Sequence, residues 1–174
     1  MVAENPIVRF AEKHYELGSD SSVSGKYRVE NSPWARGIFD ALVDPNCKEV
    51  TAQIGAQMGK NLIGEIWTGW IISEAPGNML IYGQTDDDVA LYYRDRLIKR
   101  LETLDILKPF WPGKNDVRMD QIHFPHMYIL ALGANDSNTQ GKSARYILND
   151  EVHLWGPGKL DQARDRCTAF WDAK

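Results

Sequence analysis

Glu49-Val-Thr-Ala-Gln-Ile-Gly-Ala-Gln-Met-Gly-Lys-Asn-Leu-Ile-Gly64 is the stretch on which the fold turns. Glu49 to Ile54 predicts a strand, Gly55 to Gly59 a loop of mostly small residues, and Lys60 to about Ser73 an apolar helix. That order is the layout of a phosphate-binding loop. Such a loop needs inward-pointing backbone N–H groups, glycine where the chain turns tightly, a lysine for the β- and γ-phosphates and a hydroxyl for magnesium. Gly59 and Lys60 fit. The strict G-x-x-x-x-G-K-[ST] pattern fails twice: Ile54 stands at the first glycine, with Gly55 one place late, and Asn61 replaces Ser or Thr.

A second stretch, Tyr146-Ile-Leu-Asn-Asp-Glu151, supplies what such a loop requires. It reads as a buried strand ending in two adjacent carboxylates. In a parallel sheet the C-terminal edge is where ligands bind. There Asp150 can hold magnesium and Glu151 can polarise an attacking water. The bland alternatives are a chance Gly-Lys corner and an Asp-Glu pair that merely opens a solvated loop.

The rest of the chain supports an α/β reading. Apolar residues at Ile7, Phe10, Ala11 and Tyr15 predict a helix within Asn5 to Leu17, and Ser32-Pro33 starts another that runs to about Leu42. Met79 to Tyr82 is a short apolar run of the kind buried on both sheet faces, and Asp86-Asp-Asp opens a helix reaching about Leu104. Gln121 to Phe124 and Met127 to Leu132 read as strands about a Pro125-His126 turn, and Lys159 to Lys174 as a closing helix. Alternating strands and helices with apolar central strands imply a mainly parallel sheet.

At 174 residues the chain has room for one domain with a real core. No apolar run approaches the roughly 20 residues that a bilayer needs, so no membrane span is expected. The net charge of −4 gives no basic footprint for broad nucleic-acid binding. Arg94, Arg96, Lys99 and Arg100 alternate with Asp95 and Glu102, which favours a solvated helix face over a DNA track. Cys47 and Cys167 form no metal-like spacing, and His123 and His126 are better explained by the turn between them than by a metal.

Several blocks resemble the ATPase part of the large terminase subunit of tailed bacteriophages, in its GpA-type branch. They are Gly25-Lys-Tyr-Arg-Val with Ser32-Pro-Trp and Phe39-Asp-Ala-Leu; Glu49-Val through Ala56-Gln-Met-Gly-Lys60; Gly133-Ala-Asn; Leu148-Asn-Asp-Glu-Val152; and Thr168-Ala-Phe-Trp. They fall in family order over nearly the whole chain. Ala56-Gln57-x-Gly59-Lys60 is similar to the family's Walker A variant, which also lacks the leading glycine. Asn61 departs from the family's Thr or Ser and puts full activity in question.

The resemblance implies a P-loop NTPase of the RecA/ASCE type, a three-layer α/β/α fold with a mainly parallel sheet. It implies a helical extension over 1–48 and an ATPase core over 49–174, without the family's nuclease domain. It also implies ATP and Mg2+ as ligands. Lys60 would grip the phosphates, with Gly55, Ala56, Gln57, Met58, Gly59 and Asn61 around them. Asp150, with Asn61, would serve the metal, and Glu151 the water. Tyr27, Arg28 and Trp34 are guesses for base stacking, and Lys142 and Arg145 for phosphate or DNA. The implied work is packaging of double-stranded DNA in the cytoplasm of an infected bacterium, as an oligomer, with the portal protein and small terminase subunit as partners. The family's coupling strand, which lies between the Walker A and Walker B strands, has no counterpart here, so a sheet with a gap is expected. The rival expectation is a degenerate, non-catalytic P-loop domain that acts as a nucleotide-binding or assembly module.

Overall fold

The computed structural model describes residues 4–18, 21, 23–55, 58–138 and 142–168. Its centre is a four-stranded sheet of β3 (Met79–Gly83), β4 (Gln121–Phe124), β5 (Met127–Gly133) and β6 (Tyr146–Asn149), in the order β4-β5-β3-β6. β5, β3 and β6 run parallel, with Met79 opposite both Ile129 and Tyr146; β4 joins the edge antiparallel through its hairpin with β5. The whole of β3 is buried, as a central parallel strand with both faces covered must be.

The two faces are covered unequally. Met79, Ile81, Ile129, Ala131 and Tyr146 join the main core with α1 (Pro6–His14), α2 (Pro33–Val43), α3 (Lys60–Glu74) and the long helix after β3. Leu80, Tyr82 and Leu132 point the other way. There they meet Ala144, Trp155 and Ala163 of the short helix α6 (Lys159–Arg164). The result is an α/β protein of three layers, one of them thin, with a mostly parallel sheet.

The first four expected helices and most expected strands form where the local chemistry requires; of the closing helix expected over Lys159 to Lys174, Lys159–Arg164 is α-helical, a 3-10 turn follows over Asp165–Cys167, and 169–174 lie outside the described residues. Asn5 caps α1 by accepting from the N–H groups of Ile7 and Val8, and its amide donates to Asp40 of α2 at 2.8 Å. Tyr15 is buried and donates to the Glu65 carbonyl of α3 at 2.7 Å, which ties the N-terminal segment to the core. A small hairpin of β1 (Glu16–Leu17) and β2 (Gly25–Lys26) follows. After β3, α4 (Asp86–Tyr92) continues through a π turn, Tyr93–Ile98, into α5 (Lys99–Glu102).

One expectation is corrected. Glu49 to Ile54 is no strand: residues 47–55 carry no helix or strand, and most of 49–55 is exposed. A strand exists by pairing, and among the described residues the only strand paired with β6 is β3. Nothing described fills the slot on the outer side of β6, so the segment has no ladder to join. Glu49 is held instead by Arg164 of α6.

Candidate active site

The approach to α3 is set by Gly59. Its φ of +83 puts it in the left-handed region, which a residue without Cβ adopts at no steric cost. The turn delivers Lys60 to the first position of a fifteen-residue helix that no side chain among the described residues caps. Its first N–H groups are therefore available to an anion, and the helix dipole favours one there.

Ninety residues on, β6 ends at Asn149, and its direction continues for one more bond as the Asp150 N–H donates to the Tyr82 carbonyl at 2.9 Å. The indole N–H of Trp155 donates to the Asp150 carbonyl at 3.0 Å. Glu151 then takes φ +51 and ψ +41, the sole non-glycine among the described residues with positive φ. Such a backbone is strained for a residue with a side chain, and it persists because the turn is held at both ends. It turns the glutamate back toward α3.

The consequence is a cluster of Lys60, Asp150 and Glu151, with the exposed His153 beside it. Lys60 Nζ lies 3.0 Å from Asp150 Oδ1 and also contacts Glu151 Oε1, while His153 Nδ1 sits 3.4 Å from Glu151 Oε2. Partial burial works against the Lys60 charge, but the hydrogen bonds to Glu151 and Asp150 outweigh it and raise the ammonium above its ordinary value. The hydrogen bond from Lys60 holds the Glu151 carboxyl below its ordinary value against a smaller opposing effect of burial. Burial, then the charges of Glu65 and Asp150, push the nearby Tyr92 hydroxyl well up, so it stays a neutral donor.

Two adjoining cavities open over this cluster, of about 220 and 470 Å³. Asp150, Glu151, Asp88 and Tyr92 line both; Lys60, Asn61 and Arg96 line the larger. Among the described residues there is no group of three or more His, Cys, Asp or Glu placed to hold a metal. A cation here would have one or two carboxylates from the protein and would need phosphate and water for the rest. That suits magnesium, which is commonly held in this way, so a donor set of Asp150 and the Asn61 amide, both lining the larger cavity, fits it and leaves Glu151 for a water.

Of the residues singled out in the sequence, Lys60, Asn61, Asp150 and Glu151 come together. Gly59 shapes the turn and Met58 beside it is exposed, as is Gly55. Ala56 and Gln57 lie outside the described residues. Tyr27 is a core residue, 2% exposed, and cannot stack on a base without leaving the core. Asp88, Tyr92 and Arg96, all on the helix after β3, belong to the site without any motif in the sequence that marks them.

A lysine at the mouth of a helix, meeting an Asp-Glu pair at the C-terminal end of a parallel strand in a mostly parallel sheet, is consistent with the P-loop NTPase class. The chain belongs to the family described as phage terminase large subunit gpA, ATPase domain, which matches residues 21–174. It is also similar to a solved large terminase from a thermophilic bacteriophage. The identity is 22% and the TM-score 0.44, over 63% of this chain and 28% of that one. No curated protein matches. No helix among the described residues is long and apolar enough to cross a membrane.

Proposed function

We propose that this chain binds and hydrolyses ATP as the motor part of a phage terminase large subunit that drives double-stranded DNA into a capsid. The observation that carries the reading is Lys60 meeting Asp150 and Glu151 from ninety residues away. On binding, Lys60 exchanges the two carboxylates for the β- and γ-phosphates. The N–H groups of the first turn of α3 donate to the remaining phosphate oxygens. Gly55, Ala56, Gln57, Met58 and Gly59 are assigned to the phosphate cradle on the family motif. Magnesium, held by Asp150 with the Asn61 amide beside it, would neutralise charge on the phosphate oxygens. The departure of Lys60 frees Glu151 to orient a water and take its proton. Double-stranded DNA, the portal protein, the small terminase subunit, assembly as an oligomer and work in the host cytoplasm belong to the same reading, through family membership.

ATP binding measured with and without magnesium, for the native protein and Lys60→Ala, tests it. The three side chains of the cluster are each about a third exposed. Their ion pairs therefore contribute under about 1 kcal/mol to folding. Loss of binding in Lys60→Ala with an unchanged melt supports the reading, and unchanged binding overturns it. Asn61 gives no hydroxyl to the metal–phosphate network, so Asn61→Thr is expected to raise turnover. If it does not, Asn61 is no handicap.

The rival reading, a nucleotide-binding or assembly module without catalysis, draws on Asn61 and on the missing ladder at residues 49–54. It expects binding without turnover.

A further inference from the structure

The helix from Asp86 to Glu102 carries a buried stripe of Val89, Tyr93, Leu97 and Leu101, each four residues after the last. In an α-helix a four-residue step overshoots a full turn by about 40°. Three such steps would carry the stripe well around the helix. The wider turn at Tyr93–Ile98 absorbs much of that drift, and turns of this kind are frequent at functional sites.

The same turn keeps the neighbouring stripe, Asp88, Tyr92, Arg96 and Arg100, on one side. That side faces the Lys60 cluster and α3. Asp88 and Tyr92 line both cavities, and a Cβ on Gly64 of α3 would lie 3.7 Å from the Tyr92 hydroxyl. Arg100 is engaged by the buried Glu65 of α3, at 3.5 Å, and by the Glu16 carbonyl, at 3.2 Å. Between them Arg96 lines the larger cavity with Lys60, Asn61, Asp150 and Glu151.

In that lining two cations, Lys60 and Arg96, share the space with four carboxylates, Asp88, Asp95, Asp150 and Glu151. Lys60 holds Asp150 and Glu151; Asp95 is held by Arg94, at 3.0 Å, and Lys99, at 3.5 Å. Asp88 is turned to Thr85, whose hydroxyl donates to it at 2.7 Å. Among the described residues the Arg96 guanidinium has no ion pair. It is a cation at the lining of the cleft and not consumed there. A guanidinium offers a rigid fork of donors matched to phosphate oxygens.

We propose that Arg96 is a catalytic residue of this site, whose guanidinium donates to the terminal phosphate of a bound nucleoside triphosphate. It approaches from the helix after β3, whereas Lys60 approaches from α3. The inference rests on the nucleotide reading of the Lys60 cluster. Because a diphosphate lacks the contacted group, Arg96 distinguishes triphosphate from diphosphate.

Calorimetric titration with ADP and with a non-hydrolysable ATP analogue, both with magnesium, tests this in the native protein, Arg96→Ala, Arg96→Lys and Arg94→Ala. Arg96→Ala is expected to weaken the analogue about tenfold, the low end for a charge-assisted hydrogen bond, while leaving ADP within about twofold. Arg96→Lys should recover part of the loss. Arg94→Ala, on the outer face, should behave as native. Equal weakening of both nucleotides, or of neither, in a series whose native member binds, overturns the role of Arg96 alone. A native protein that binds neither nucleotide overturns the reading beneath it as well.

Discussion

Gly133→Ala is the most exacting test of how the site edge is built. Gly133 ends β5 opposite Gly83 of β3, at the sheet edge that carries Asp150. A Cβ there would lie 2.5 Å from the Asp86 nitrogen and 2.7 Å from the Thr85 carbonyl carbon, both backbone atoms at the start of α4. Neither can rotate away, so β5 and α4 must part by about 0.5 Å or more, an overpacking that costs about 1–3 kcal/mol. The junction that must open is hydrogen-bonded: Asp86 accepts from the Gly133 N–H and the Asn138 amide, each at 2.7 Å, and from the Asn135 amide at 3.1 Å. Asp86 is exposed, which discounts those bonds, and the total comes to about 2–3 kcal/mol. For a chain of this size that lowers the melting temperature by about 5–10 °C. Urea denaturation with a parallel thermal melt measures it. Gly37→Ala in α2, where a Cβ meets nothing within 4 Å, is the control, and a gain of up to about 1 kcal/mol is expected there. A Gly133→Ala protein within about 0.5 kcal/mol of native would refute the reasoning.

Two further outcomes are expected. Arg100→Met leaves the carboxylate of Glu65, 5% exposed, without its guanidinium, at a cost of about 3 kcal/mol; adding Glu65→Leu should restore most of it, as read by denaturant midpoints. Burial first, then the charge of Lys13, holds His14 below its ordinary pKa of 6.5. A depressed folded-state value means that this contribution to stability is complete above pH 6.5. It is lost as pH falls through the folded value. Proton NMR titration should place His14 below 6.5, and a value above it would contradict the partial burial of its ring beside Phe10.

Much of the fold was legible because its signals are local. Asn5 and Ser32-Pro33 mark helix starts, Met79 to Tyr82 is apolar throughout, and Pro125-His126 falls between two strands, as observed. The meeting of Lys60 with Asp150 and Glu151 was legible too, from a Gly-Lys corner that opens a helix and a strand that ends in two carboxylates, although the strand expected ahead of that corner does not form. What failed was non-local. Glu49 to Ile54 has the composition of a strand, but a ladder needs a neighbour, and composition does not report one. The four-residue spacing of Val89, Tyr93, Leu97 and Leu101 was visible, and with it the signal for a wide turn; read as an ordinary helix, it left unmarked that Asp88, Tyr92 and Arg96 line one cleft. Asp86 was expected to serve only the helix dipole. Its bonds to Gly133, Asn135 and Asn138 join segments nearly fifty residues apart, which no local pattern records.

The central claim is that Asp150 and Glu151 are a working pair and not a surface turn that Lys60 happens to reach. Steady-state ATP hydrolysis by the native protein and by Glu151→Gln, with magnesium, tests it most directly. The account predicts that Glu151→Gln still binds ATP and that its turnover falls by about a hundredfold or more, the loss of a positioned general base. Turnover that is absent from the native protein, or indifferent to Glu151→Gln, would contradict it.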